Sequence, residues 1–274
     1  MTHRLVAREV ARRLQLDALF PESERDTEQS STESVDPNVT QPYPPVWDDL
    51  SRLFALCRLR RVTTVLEFGC GFSSVVLAHA LSLNSRDHGG SVRAELRRGN
   101  AFELHVVDDM QQYLGITKQR LSRELLQFVT FHHTTVAMTT FQDRIATQYE
   151  ALPNICPDFI YLDGPSQDSA VGDVHGISTR HTDRLPMACD ILKMEHFLLP
   201  GTLILVDGRT ANARFLKTNL QREWRYEHDV DGDVHYFEMI EEPLGKWNRR
   251  QIEFCLGPDW RAKPLKPDYS KLVS

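Results

Sequence analysis

The sequence predicts an α/β domain: a seven-stranded, mostly parallel sheet with helices on both faces and a terminal antiparallel hairpin. Three observations predict it. Apolar runs such as Phe159 to Leu162 and Leu203 to Val206 are continuous rather than alternating, as strands buried on both faces require. Segments with apolar residues at helical spacing separate these runs. Near the end, two β-like runs flank Asp231-Gly232, a dipeptide suited to a tight hairpin turn. With 41% hydrophobic residues in 274, the chain can bury a sizeable core.

Taken in order, Val6, Val10 and Leu14 give a helix over residues 3–20 with one apolar stripe. Arg4, Arg8, Arg12 and Arg13 lie on it as in a transit peptide, but Glu9, Asp17 and the lack of a cleavage signal favour an ordinary surface helix. The acidic, Ser/Thr-rich stretch to residue 45, with Pro37, Pro42, Pro44 and Pro45, reads as a linker or lid, so residues 1–45 stand apart. Trp47, Leu50, Phe54 and Cys57 open a central domain over 46–242 with an amphipathic helix. Strands are expected at 63–68, 102–107, 128–132, 158–162 and 202–206. Helices are expected at 73–83, 117–126 and 141–149, at Met187 to Leu198 and at Ala213 to Trp224. Residues 86–100, polar and holding Gly89-Gly90, read as a long surface loop, and residues 243–274 as an irregular extension.

Lys plus Arg number 32 against 38 Asp plus Glu, a net charge of −6 that repels nucleic acid and anionic lipid. The longest apolar stretch, Phe197 to Val206, is broken by Pro200-Gly201 and falls short of the roughly 20 residues of a membrane helix. Cys57, Cys70, Cys156, Cys189 and Cys255 are odd in number and irregular in spacing, which suits a reduced, cytoplasmic protein.

The strongest chemical signal is Glu67-Phe68-Gly69-Cys70-Gly71-Phe72-Ser73-Ser74, a strand running through a glycine turn into a helix. The turn lets backbone approach a ligand, and the helix amides offer partial positive charge. The dinucleotide pattern GxGxxG is not met, because Ser74 stands at the third glycine. Glu67, two residues before the first glycine, suits a ligand with a positive end. Downstream, Asp108 and Asp109 end the second strand, 39 residues after Gly69, where a dinucleotide fold expects an acid at about 20. Asp163 and Asp207 end two later strands, at the edge where open α/β sheets place ligands.

These motifs resemble class I S-adenosylmethionine-dependent methyltransferases, over roughly residues 46–242. The resemblance implies a Rossmann-like fold, with Glu67, Gly69, Cys70, Gly71 and Ser73 cradling the amino-acid end of S-adenosylmethionine. Asp108, or Asp109 beside it, would accept from the ribose hydroxyls, and Asp163 would line the cofactor and the reaction centre. In metal-dependent relatives two strand-end acids and an adjacent Asn hold a divalent cation. Here Asp163 and Asp207 match the acids, Gly208 replaces the Asn, and Asn212 is only nearby, so no metal ligand is assigned. Arg209 either clamps an anionic substrate group or pairs with an acid.

The polar stretch 166–186 holds His175, Arg180, His181 and Arg184 and would overhang the acceptor. His181, before His175, is the candidate general base with Asp163. His132-His133 reads as edge packing. The expected activity is methyl transfer to a small molecule, chiefly a hydroxyl of a sugar or natural product, with neither nucleic acid nor membrane as partner and a homodimer left open. Two rivals remain: a non-catalytic, partner-binding relative lacking cofactor affinity, and an NAD(P)-dependent oxidoreductase, for which only Asp87 stands near the required spacing.

Overall fold

The computed structural model describes residues 3–25, 44–185 and 187–272; most of the acidic stretch, residues 26–43, lies outside the described residues. Helices α1 (His3–Arg13), α2 (Glu22–Arg25) and α3 (Trp47–Leu59) precede strand β1 (Thr64–Phe68). Next come α4 (Phe72–Glu95), β2 (Glu103–Asp108), α5 (Gln111–Arg120), α6 (Arg123–Leu126) and β3 (Val129–His133). A hairpin of β4 (Val136–Phe141) and β5 (Arg144–Tyr149) follows, then β6 (Phe159–Leu162), α7 (Asp190–Met194), β7 (Leu203–Asp207) and α8 (Thr210–Asn219). Strands β8 (Trp224–Asp229) and β9 (Val234–Met239) and helix α9 (Gly245–Cys255) complete the order.

Seven strands form one sheet in the order β3-β2-β1-β6-β7-β9-β8. Only β9 runs against the others, because it is antiparallel to both β7 and β8. This is the expected Rossmann-like sheet. Successive side chains alternate between two cores, as strand geometry demands. Val65, Leu104, Phe159, Tyr161 and Leu205 face α3, α4 and the end of α1; Leu66, Phe68, Ile160, Ile204 and Phe237 face α7, α8 and the β4–β5 hairpin. Asp158 fixes the entry to β6 by accepting from the Thr63 and Thr64 amides, at 2.8 Å for the latter. No helix of the described residues is long and apolar enough to cross a membrane, and all five cysteines are free.

Four expectations are corrected. Residues 141–149 are the end of β4, a two-residue turn and β5, not a helix. The β4–β5 turn puts Gln142 and Asp143 at φ 47° and 61°, so it lacks the glycine that marks such turns in sequence. Residues 86–95 continue α4 rather than forming a loop, because buried Val92 packs with Leu96 and Phe102 and outweighs the roughly 1 kcal/mol that each glycine costs a helix. Residues 245–255 are helical: α9 docks Ile252 against Gly201, and Asn248 donates to the Pro200 carbonyl at 3.1 Å. The last hairpin turns through four residues, with the left-handed conformation at Asp233 (φ 43°) and not at Gly232.

Candidate active site at the carboxyl edge of the sheet

The carboxyl ends of β1, β2, β6 and β7 share one edge of the sheet, and the strand-end acids meet there. Gly69 leaves β1 at φ +96°, a conformation open to glycine. A Cβ on Gly69 would lie 3.1 Å from the Asp163 carbonyl group, and one on Gly164 would lie 2.7 Å from the Gly69 nitrogen and 2.8 Å from Tyr149 Oη. The turns after β1 and β6 therefore lie backbone against backbone. Gly71 differs: nothing stands within 4 Å of where its Cβ would be. Open space thus borders the first turn of α4, whose amides have no partner within the helix.

Glu67 supports this turn from beneath. It is fully buried, and its two oxygens accept from Ser73 Oγ (2.5 Å) and Ser74 Oγ (2.7 Å). Ser74 Oγ in turn accepts from the Gly71 amide at 3.3 Å, so the residue at the third-glycine position holds the turn together. Burial pushes the Glu67 carboxyl up to about 8, against the two serine hydrogen bonds. Its carboxylate is spent on the loop rather than turned to the open side.

Asp108 is 6% exposed and accepts from the Met110 amide at 2.7 Å and from the Cys70 thiol, which links the glycine turn to β2. Burial raises it to about 6. Asp109 is half-buried, shares a hydrogen bond with Ser169, and is also raised by burial.

The other half of the edge is crowded with charge. Asp163 is hemmed in by protein, although 51% of its side chain meets solvent; this desolvation, opposed chiefly by Arg209, pushes it up to about 7. Arg209 spans the turn, donating to the carbonyls of Asp163 (2.5 Å) and Pro165 (2.8 Å), with Nε 3.6 Å from the Asp163 carboxylate. It is thus a strut of the site. Asp207 accepts from Tyr161 Oη at 2.6 Å and is raised by burial. Beside it the start of α3 brings Asp49, raised to about 7 by burial and then by Asp207, and the buried Arg52, which pairs with Asp48 and Asp49 at 2.7 Å each. Sequence reading missed Asp49, Arg52 and Tyr161. By spacing alone the acids and arginine do not differ from a solvated helix face, where i,i+3 and i,i+4 pairs are common.

The residues do not fit a divalent cation held by Asp163 and Asp207. One carboxylate holds the Tyr161 hydroxyl and the other faces Arg209, while Asn212 is buried with its amide bound both ways to the Ala188 backbone (3.0 and 3.2 Å). His181 keeps to its own loop: Nδ1 accepts from the Asp183 amide at 3.2 Å and lies 3.8 Å from the Asp183 carboxylate. His175 is exposed, and His132 stacks on His105, their ring nitrogens 3.0 Å apart. The loop after β6 is stitched to the hairpin. Val171 pairs with β4 (Val171 N to Val136 O, 2.8 Å) and Cys189 with β5 (Cys189 N to Thr147 O, 2.9 Å).

No protein-family model matches the chain, and no curated protein matches it. Among solved structures, it overlaps an O-methyltransferase of tomaymycin synthesis from Streptomyces achromogenes, in complex with SAM. Identity is 16% and the TM-score 0.39, over 72% of this chain and 82% of that one. An O-methyltransferase from Bacillus cereus in complex with SAH overlaps at 13% identity and a TM-score of 0.39, over 88% of this chain and 93% of that one. An SAH-bound methyltransferase from Podospora anserina overlaps at 12% identity and a TM-score of 0.41, over 85% and 88%. Overlap this partial adds nothing to what the strand order itself establishes.

Proposed function

We propose that the chain is an S-adenosylmethionine-dependent methyltransferase acting on a small-molecule hydroxyl, of the kind found on sugars and natural products. One observation carries this reading: the open space at Gly71 lies at the same sheet edge as acids on both sides of it, Asp108 and Asp109 at the end of β2 and Asp163 just past β6. A sulfonium cofactor with an amino-acid end and a ribose suits that set. It supplies an activated methyl group, so the protein's task is mainly alignment.

Gly69, Gly71 and the first amides of α4 would hold the amino-acid end, with Ser73 and Ser74 fixed by Glu67. Asp108, oriented by Met110 and Cys70, would accept from the ribose hydroxyls, with Asp109 at the rim. Asp163 would take the acceptor proton, since a carboxylate raised to about 7 is matched to that task near neutral pH. Arg209 keeps Asp163 in place through its main-chain hydrogen bonds. His181, held to Asp183 in its own loop, is the second candidate for that role.

Calorimetric titration with S-adenosylhomocysteine, with NAD as control, tests the reading. Micromolar binding of S-adenosylhomocysteine alone supports it; silence from folded protein replaces it with a partner-binding relative.

A further inference from the structure

Beyond the strand-end acids, the last hairpin gathers side chains of another chemistry. His228 on β8 and His235 on β9 are cross-strand partners, their rings stacked with centroids 3.9 Å apart. Asp233 sits in the turn two residues before His235. One ligand atom from each of the three lies within 4.8 Å of the others, the only such trio of His, Cys, Asp and Glu among the described residues.

His235 is fully buried, and both its ring nitrogens are placed. Nδ1 lies 3.0 Å from Tyr226 Oη, and Nε2 lies 3.0 Å from the hydroxyl of Thr210, the first residue of α8. That hydroxyl is itself 3.5 Å from Asp233 Oδ1. The tautomer that donates from Nδ1 to Tyr226 leaves Nε2 as an acceptor, facing the Thr210 hydroxyl beside Asp233. A ligating histidine is oriented by the hydrogen bond that its other ring nitrogen donates, here Nδ1 to Tyr226 Oη.

We propose that His228, Asp233 and His235 bind one divalent transition-metal ion of the zinc class. Two imidazoles and a carboxylate select zinc-like ions over magnesium or calcium, which prefer all-oxygen sites. Three protein ligands leave a fourth position for the Thr210 hydroxyl or water. With metal–nitrogen distances of about 2.0–2.1 Å, ligand atoms stand roughly 3.4 Å apart, so the trio must draw together. The stacked rings cannot both aim at one ion as they stand. His228 and Asp233 are exposed, and they supply that movement around the fixed His235. Because the Gly208 amide donates to the Asp233 carbonyl at 2.9 Å, the ion would clamp the hairpin to the loop carrying Asp207 and Arg209.

The test uses the full chain, stripped with chelator and dialysed against Zn²⁺ alone, with bound metal counted by mass spectrometry and Mg²⁺ as control. Wild type should bind one Zn²⁺ per chain. His228→Ala and Asp233→Asn should each weaken binding by at least the about 10- to 100-fold that losing an outer-shell partner costs, with unchanged melting of the metal-free protein. The Co²⁺-loaded protein should show a spectrum free of sulfur-to-metal charge transfer. Substoichiometric binding, wild-type affinity in either variant, or a thiolate band from the free cysteines would each overturn the proposal.

Discussion

Glu67 and Asp163 stand on adjacent strands, one within β1 and one just past the end of β6, and burial pushes both carboxyls up, yet their surroundings differ in kind. Glu67 is sealed away from water with each oxygen given a hydroxyl. Asp163 is half open and faces a guanidinium attached to the next strand's loop. The first environment builds a rigid turn and leaves nothing over for a ligand. The second leaves a carboxylate half open, its proton affinity raised by desolvation and lowered by a neighbour that can be changed. The two acids can thus be told apart by where their partners come from: the local helix in one case, across the edge in the other.

The place where the two turns touch gives the largest expected effect. Gly164→Ala should destabilise the fold by about 3 kcal/mol, because its Cβ would press on the Gly69 backbone and Tyr149, which leave no room to repack. Chemical denaturation measures this, and a loss under 1 kcal/mol would mean that the turns are independent.

Glu67→Gln separates the sealed acid from the open one. A carboxyl raised to about 8 in the folded state gives stability that is full below its ordinary value and is lost as pH rises through 8. Wild type should therefore weaken between pH 5 and 8. The Gln variant should be more stable than wild type at pH 8 by roughly 2 kcal/mol and little different at pH 5. Melting temperatures across that range decide it, and parallel curves would remove the buried charge from the account.

Asp108→Ala should weaken S-adenosylhomocysteine binding by about 1–3 kcal/mol, the loss of hydrogen bonds to a charged group, and Asp109→Ala by less. Calorimetry ranks them, and the reverse order would move the ribose contact to the rim. In methyl-transfer assays, Arg209→Ala should shift the acid limb of kcat/KM upward by on the order of 1 pH unit, since Arg209 holds Asp163 down. His181→Ala should change the rate less than about twofold, as an exposed histidine bound to its own loop does little chemistry. A large loss there would exchange the roles of His181 and Asp163.

Much of this edge was legible in the sequence because continuous apolar runs fix β1, β2, β6 and β7, and a parallel sheet then delivers Gly69, Asp108, Asp163 and Asp207 to one side. The β4–β5 hairpin was not legible. Its strands are half-exposed, and its turn uses Gln142 and Asp143 where an Asn-Gly would have announced it. The inward face of α3 was also hidden, since only burial distinguishes Arg52 from a surface arginine. Glu67 was read as facing a ligand because a sequence shows spacing but not direction, and the two serines that claim its oxygens lie six and seven residues ahead.

The back-to-back contact of Gly69 with Gly164 has a bearing on redesign. Replacing the loop after β6 looks like a local exchange of parts. Here that loop's first glycine is also the wall against which the turn after β1 is cast. A transplanted loop will preserve the turn after β1 only if it brings a glycine in the same place, so grafts should be cut after Pro165 and not before Asp163.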